Sequence, residues 1–345
     1  MRLNSGCLVS SAEDWQVRRH ELLDLARNTI YGPLPPTPRQ TQVSLLHEGA
    51  SRTCAGGRIL SLRVTTEARH CFTMRLLLPA TAGPHPVLLH GDACWGYVTD
   101  AAKCAVLGRG YALAEFNRVE VMSDLVPALV PQTTCASLTG YTGGAIAAWA
   151  WGLHRGVDAL TQINAIDAQH IAIVGHSRGG KAAILAGASD TRIAFTSANN
   201  SGAGGAGCWR FCGTGAETLA DITAAFPHWF SSELQKYQGK ELELPFDQHF
   251  LKALIAPRYL LTTEALDDLW ANPSGSWRTH QAARQVFEFL GVPSHIAMVT
   301  RPGGHGQEMT DWETLLNHMD LLFKGIPLPL GSNENGFENV DFSQS

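Results

Sequence analysis

Ser177 stands where a hydroxyl can become a nucleophile. The segment reads Ile171-Ala-Ile-Val-Gly175-His-Ser177-Arg-Gly179-Gly-Lys181-Ala-Ala-Ile, an apolar run that stops at Gly175, followed by a small-residue helical stretch. A bare Gly-x-Ser-x-Gly pentapeptide arises easily by chance in a chain with 34 glycines. Here it sits between a strand and a helix, the setting that a nucleophile elbow requires. The turn is too tight for side chains on its flanks, so glycines stand there, and it lifts the serine above the sheet. A serine hydroxyl is a poor nucleophile near neutral pH. It needs a base within hydrogen-bond reach, and the base needs an orienting acid.

Elbows of this kind take their partners in the order serine, acid, histidine, with the acid after a late strand and the histidine after the last one. His305 fits. Arg301-Pro-Gly-Gly-His305-Gly-Gln directly follows the expected strand His295–Thr300, and its glycines let the loop bend an imidazole over the sheet edge. Of the 14 histidines, it alone has both position and context. His176, inside the elbow, is expected to pack beside the sheet. For the acid, Thr263-Glu264-Ala-Leu-Asp267-Asp268-Leu-Trp270-Ala-Asn-Pro273 follows the strand Arg258–Thr263. Glu264, Asp267 and Asp268 compete for the role; Asp268 is favoured and Asp267 comes next. The oxyanion would meet the backbone N–H of Arg178 and a second donor in His90-Gly91-Asp92-Ala93, assigned to Gly91. Lys181 lies one helical turn on from Ser177, so it and Arg178 put two cations at the same mouth. They suit either an anionic substrate or the neutralisation of local acids.

The elements that must position these residues follow from periodicity. Trp15–Tyr31 reads as an amphipathic helix, ended by Gly32-Pro-Leu-Pro-Pro-Thr-Pro38. Extended stretches follow at Gln42–Leu46, Ile59–Thr65 and Phe72–Leu78, the second and third alternating as antiparallel edge strands do. From Pro86 onward short buried strands alternate with helices: strands at Val87–Gly91, Tyr111–Asn117, Ile171–Val174, Arg192–Ser197, Arg258–Thr263 and His295–Thr300, helices at Gly143–Leu153, Asp247–Ile255, Thr279–Leu290 and Thr310–Phe323. This grammar predicts an α/β fold, a mostly parallel central sheet with helices on both faces in a three-layer sandwich. No repeat or long linker divides it. Residues 1–330 read as one catalytic domain with an N-terminal helix and edge strands, and 331–345 as a loose tail.

Composition narrows the function. The chain has 345 residues, a hydrophobic content of 45% and a net charge of −5, so it carries no basic footprint for nucleic acid. No apolar run reaches about 18 residues, so no membrane-spanning helix is expected. The segment Met1–Ser10 lacks the apolar core of a secretory signal, which leaves the compartment open. Of the eight cysteines, Cys7, Cys54, Cys71, Cys94, Cys104, Cys135, Cys208 and Cys212, only the last two are closely spaced. Their spacing does not suit zinc; buried thiols are expected, with one disulfide as the alternative. No metal or cofactor is expected, and the chain is expected to be a monomer.

Gly175-His-Ser-Arg-Gly-Gly-Lys181 resembles the Gly-Cys-Ser-Arg-x-Gly-Lys elbow of glucuronoyl esterases, carbohydrate esterase family 15. Further segments resemble that family's bacterial branch: Trp15-Gln-Val-Arg-Arg-His-Glu, Gly144-Ala-Ile-Ala-Ala-Trp149, Asn199-Asn-Ser-Gly-Ala-Gly-Gly205, Phe226-Pro-His-Trp-Phe230, Leu244-Pro-Phe-Asp-Gln-His249 and Asp268-Leu-Trp-Ala-Asn-Pro273. The resemblance runs from about Trp15 to Phe323. It implies an α/β-hydrolase that cleaves esters of 4-O-methyl-glucuronic acid, as between xylan and lignin alcohols, without a metal, in a family that is usually exported. By motif match, Ser177 is the nucleophile, Arg178 supports the oxyanion, Lys181 binds sugar hydroxyls and Trp270 lies along the sugar, with Glu217 a further candidate contact. The chain departs from the pattern at Asn200, where many members have the acid, which strengthens Asp268, and at His176, where the family has Cys. Acetyl-xylan or another carboxylic ester is the alternative substrate. A catalytically silent binding protein is the alternative of another class, against which the intact Ser177, His305 and Asp268 argue.

Overall fold

Runs of aliphatic side chains between turns form the strands β1 (Thr41–Ala50), β2 (Arg58–Thr66), β3 (Cys71–Leu78), β4 (His85–His90), β5 (Ala112–Phe116), β6 (Ile166–His176), β7 (Phe195–Asn199), β8 (Tyr259–Ala265) and β9 (Ile296–Arg301). The helices are α1 (Ala12–Ala26), α2 (Asp100–Gly108), α3 (Ala145–Leu160), α4 (Arg178–Ser189), α5 (Leu219–Ala225), α6 (Gln248–Ala253), α7 (Pro273–Phe289) and α8 (Met309–Lys324). The computed structural model describes residues 1–96, 98–125, 138, 140–330 and 335–337. Cys135 and the tail positions 331–334 and 338–345 lie outside the described residues.

The strands join one sheet in the order β1-β2-β3-β5-β4-β6-β7-β8-β9. β1, β2 and β3 pair antiparallel, as does β3 with β5. From β5 through β4 to β9 every pair is parallel. A parallel sheet buries both faces, and β6 shows how. Ile171 and Ile173 face the layer of α1, α3, α4, α6 and α7, whereas Ala172 and Val174 face α2 and α8. The result is the three-layer sandwich expected from the alternation of elements. No described helix is long and apolar enough to cross a membrane.

Where boundaries differ from expectation, local chemistry explains most of it. α1 starts at Ala12 because Ser11 and Asp14 form a reciprocal capping box, each side chain accepting the other's backbone N–H at 3.1 Å. Its last turn widens into a π-helical segment, Arg27–Tyr31. α7 starts at Pro273 rather than Thr279. Asn272 caps it by accepting from Gly275 N at 3.0 Å, and proline at the first helical position has no N–H to satisfy. α3 runs past Leu153 to Leu160 because Gly152 and Gly156 are helical glycines seated against Val121 and Leu89 rather than stops.

Close helix–sheet contact under the elbow depends on Gly187 of α4, where a Cβ would collide with Thr196 of β7. Gly187→Ala is expected to lower stability by about 1–3 kcal/mol through overpacking, read as a reduced urea midpoint. An unchanged midpoint would show that the α4–β7 contact has slack.

Candidate active site

β6 delivers the chain into a strained turn. Ser177 has φ 53° and ψ −122°, a region that non-glycine residues enter at a cost of about 1–3 kcal/mol and that clusters at functional sites. Its N–H donates to Asn199 O at 2.9 Å, and its carbonyl accepts from Lys181 N at 3.1 Å as α4 begins. Both flanking glycines are required by space. A Cβ on Gly175 would collide with the Gly179 carbonyl, and one on Gly179 would collide with the Asp92 carboxylate. Asp92, buried just after β4, accepts from His176 N at 2.9 Å through Oδ2 and binds the Arg118 guanidinium through Oδ1.

The loop after β9 brings His305 over this turn. Its Nε2 lies 2.9 Å from Ser177 Oγ, and its Nδ1 lies 2.6 Å from Asp268 Oδ2. Asp268 therefore reaches the imidazole, and the other two carboxylates do not. Asp267 accepts from Gly303 N at 2.7 Å and so pins the histidine loop. Glu264 is wholly buried, and burial pushes its carboxyl up to about 8, with Lys252 opposing. Asn200, at φ 43°, ties three segments together. Its Oδ1 accepts from Ala265 N at 2.7 Å, and its Nδ2 donates to His305 O at 3.1 Å. His176 is buried beside the sheet, and burial lowers its ring to about 4.

The cations are less open than their sequence positions suggest. The Arg178 guanidinium donates to Asp124 Oδ2 at 2.9 Å. It also lies over the rings of Trp95, Trp229 and Phe226, at 5.0, 4.6 and 5.2 Å from their centroids. Its backbone N–H opens α4, among the first-turn donors that a helix leaves without an intrahelical acceptor. Gly91 follows β4, and its carbonyl accepts from Arg118 N at 2.9 Å. Lys181 is 5% exposed rather than facing the mouth freely. Its ammonium donates to Ser201 O at 2.7 Å and to Ala203 O. Burial lowers it to about 8, with Glu217 opposing. Burial raises the Glu217 carboxyl, and the Lys181 ammonium pulls it back. Trp270 is 54% exposed, and its carbonyl accepts from Glu217 N at 3.0 Å.

Asn272 joins the Glu217 loop to the Asp268 loop. It sits at φ 56°, donates to Phe211 O at 2.7 Å and Cys208 O at 3.3 Å, and accepts from Gly213 N at 3.2 Å. Cys208 and Cys212 are free thiols, which corrects the disulfide alternative, and none of the described cysteines is buried, which corrects the expectation of buried thiols. Cys208 Sγ instead donates to Asp247 Oδ2 at 3.2 Å. Asp92, Arg118, Asp124, Asn200 and Asn272 escaped the sequence reading as structural supports. Asp92, in the segment assigned to the oxyanion, Asn200, in the segment compared with the family acid, and Asn272, in the segment that carries Asp268, had a signal there; Arg118 and Asp124 had none.

A family model described as fungal glucuronyl esterase matches residues 63–291. A 4-O-methyl-glucuronoyl methylesterase of Podospora anserina is 33% identical over 300 residues, which make up 84% of this chain but 59% of that protein's length. Among solved structures, a promiscuous esterase of carbohydrate esterase family 15 from a marine bacterial metagenome is similar with a TM-score of 0.80 and 28% identity, over 92% of this chain and 95% of that one. A mutant glucuronoyl esterase from Sporotrichum thermophile, in complex with methyl 4-O-methyl-β-D-glucopyranuronate, is similar with a TM-score of 0.77 and 25% identity, over 96% and 88% of the two chains.

Removing the Asp92 carboxylate would take from the buried Arg118 its close acid and leave only Asp124, at 3.9 Å. Asp92→Ala is expected to cost about 3–5 kcal/mol of stability, the range for breaking a buried ion pair from one side. Thermal and urea unfolding measure it. A loss below about 1 kcal/mol, the range of an exposed pair, would mean that Asp92 does not clamp the elbow.

Proposed function

We propose, because the chain belongs to the glucuronyl esterase family, that it hydrolyses carboxylic esters of glucuronic acid or its 4-O-methyl form through Ser177, His305 and Asp268. The observation that carries this reading is the continuous hydrogen-bonded line from Asp268 through His305 to Ser177 Oγ on a strained elbow. Residues 1–330 act as one catalytic domain. In the reaction, Ser177 Oγ attacks the ester carbonyl and its proton passes to His305 Nε2. Asp268 stabilises the imidazolium that forms. The oxyanion is received by Arg178 N–H and a donor from the Gly91 segment. The tetrahedral intermediate collapses, the alcohol leaves with the proton from His305, and water releases the acid by the same steps.

The substrate ester is uncharged at its carboxyl. That suits an Arg178 already neutralised by Asp124. Lys181 uses two of its three ammonium donors on carbonyls, and the third serves a sugar hydroxyl beside Glu217, with Trp270 as an apolar platform for the ring. The promiscuity of the marine metagenome relative favours one second reading, an esterase that also accepts other acyl groups such as acetyl-xylan. The ratio of kcat/KM on methyl glucuronate to that on an acetyl ester separates the two.

Ser177→Ala is expected to remove several orders of magnitude of turnover while the fold survives, because nucleophile and base act as a unit. Retention of more than about a tenth of the activity would defeat the mechanism. Lys181→Ala is expected to raise KM for methyl glucuronate roughly tenfold, the loss of about 1.4 kcal/mol for one charge-assisted hydrogen bond, with little effect on a small acetyl ester. The wild-type KM for the sugar ester should likewise rise above pH 8, since the Lys181 ammonium, lowered to about 8, loses its charge there. Equal losses on both esters would make Lys181 a support of the elbow instead.

A further inference from the structure

His176 is 1% exposed, stands next to the nucleophile and takes no part in the proton transfer described above. Its ring centroid lies 4.8 Å from that of His305, with the planes tilted by 51°. Its Nδ1 lies 2.6 Å from Asn199 Oδ1. The Asn199 amide nitrogen donates to Thr263 Oγ1 at 2.9 Å, so the amide oxygen faces His176 and Nδ1 carries the hydrogen. His176, Asn199 and Thr263 are register partners at the ends of β6, β7 and β8. The ring is thus fastened across three adjacent strands, while Asp92 holds its backbone N–H.

His305 needs such a wall. Its side chain is 46% exposed, on a loop that contains Gly303, Gly304 and Gly306. Its hydrogen bonds to Asp268 and Ser177 hold the two ring nitrogens, one at each end of the line that joins them. They set the direction of that line and leave the ring able to roll about it. Asn200 and Arg301 hold backbone carbonyls of the loop, not the imidazole. A rigid face beside the ring supplies the missing constraint.

We propose that His176 is a positioning residue for the general base, its strand-anchored ring forming the wall that keeps the His305 imidazole aligned between Asp268 and Ser177. This rests on the serine-esterase reading. The shape of the ring carries the effect, and the hydrogen bond to Asn199 fastens it.

The test uses the full chain with His176→Ala, His176→Asn and His176→Phe. A serine-reactive phosphonate counts active sites, and kcat and KM on methyl glucuronate are expressed per labelled site. His176→Ala and His176→Asn are expected to lower kcat by roughly 10- to 100-fold, the scale of a misplaced reacting group, with KM within about twofold. His176→Phe should restore kcat to within about threefold of wild type while melting at a lower temperature, since it keeps the wall and loses the bond to Asn199. The proposal is overturned if the alanine variant keeps kcat, if the losses fall on KM alone, or if the phenylalanine variant folds and is as slow as alanine. Should that variant fail to fold, the other pair decides: equal losses in alanine and asparagine support the wall, and wild-type kcat in asparagine overturns it. Wild type that the phosphonate does not label would instead defeat the esterase reading itself.

Discussion

The Asp92 carboxylate makes three contacts at once. It accepts the His176 N–H at the end of β6, binds Arg118 from the segment after β5, and fills the space over Gly179. The strand order β5-β4-β6 sets these three segments side by side, and one buried anion fastens them. Replacing Gly179 by any larger residue would push this anion away. The glycine and the acid are therefore one device, and Ser177, between His176 and Gly179, inherits its geometry from it.

From Asp92 the charges alternate outward. Arg118 lies between Asp92 and Asp124, at 3.9 Å from the latter, and Asp124 binds Arg178. Aromatic faces sheathe the line. Trp149 lies 4.9 Å from the Arg118 guanidinium, and Phe226 and Trp229 stack at 3.8 Å beside Arg178. Guanidinium groups suit this role because they combine bidentate hydrogen bonding with stacking on rings. A cation held this way keeps a directed field near the elbow but has little freedom to seek a free anion. Of the two readings that the sequence left open, the Arg178 ion pair with Asp124 favours neutralisation of a local acid.

The sequence made the chemistry legible where one local pattern carries the whole constraint. The elbow needs glycines around Ser177, and the histidine loop needs glycines around His305, so both could be read from short segments. Asp268 followed from strand order together with the departure at Asn200. The supports were opaque for the opposite reason. Residues 92, 118, 124 and 178 meet only because parallel strands place their C-terminal loops together, and nothing local announces an acid that serves a distant turn. Lys181 shows the limit of helical spacing: one turn from Ser177 gave the right neighbourhood, but not that the carbonyls of Ser201 and Ala203 take two of its three ammonium donors. The fold followed the same rule. Alternating strands and buried runs gave the layers, whereas the start of α7 hung on the left-handed Asn272 and the length of α3 on glycines that pack.

In the proposed mechanism the backbone of Ser177 places catalysis and robustness in opposition at one residue. Its φ of 53° is a conformation that glycine adopts freely and serine does not. Position 177 is therefore the point at which a more stable molecule is one substitution away and inert. Selection of variants by heat resistance alone would drift toward glycine there. With Ser177 as the proposed nucleophile, only a screen that also requires turnover would hold the serine in place.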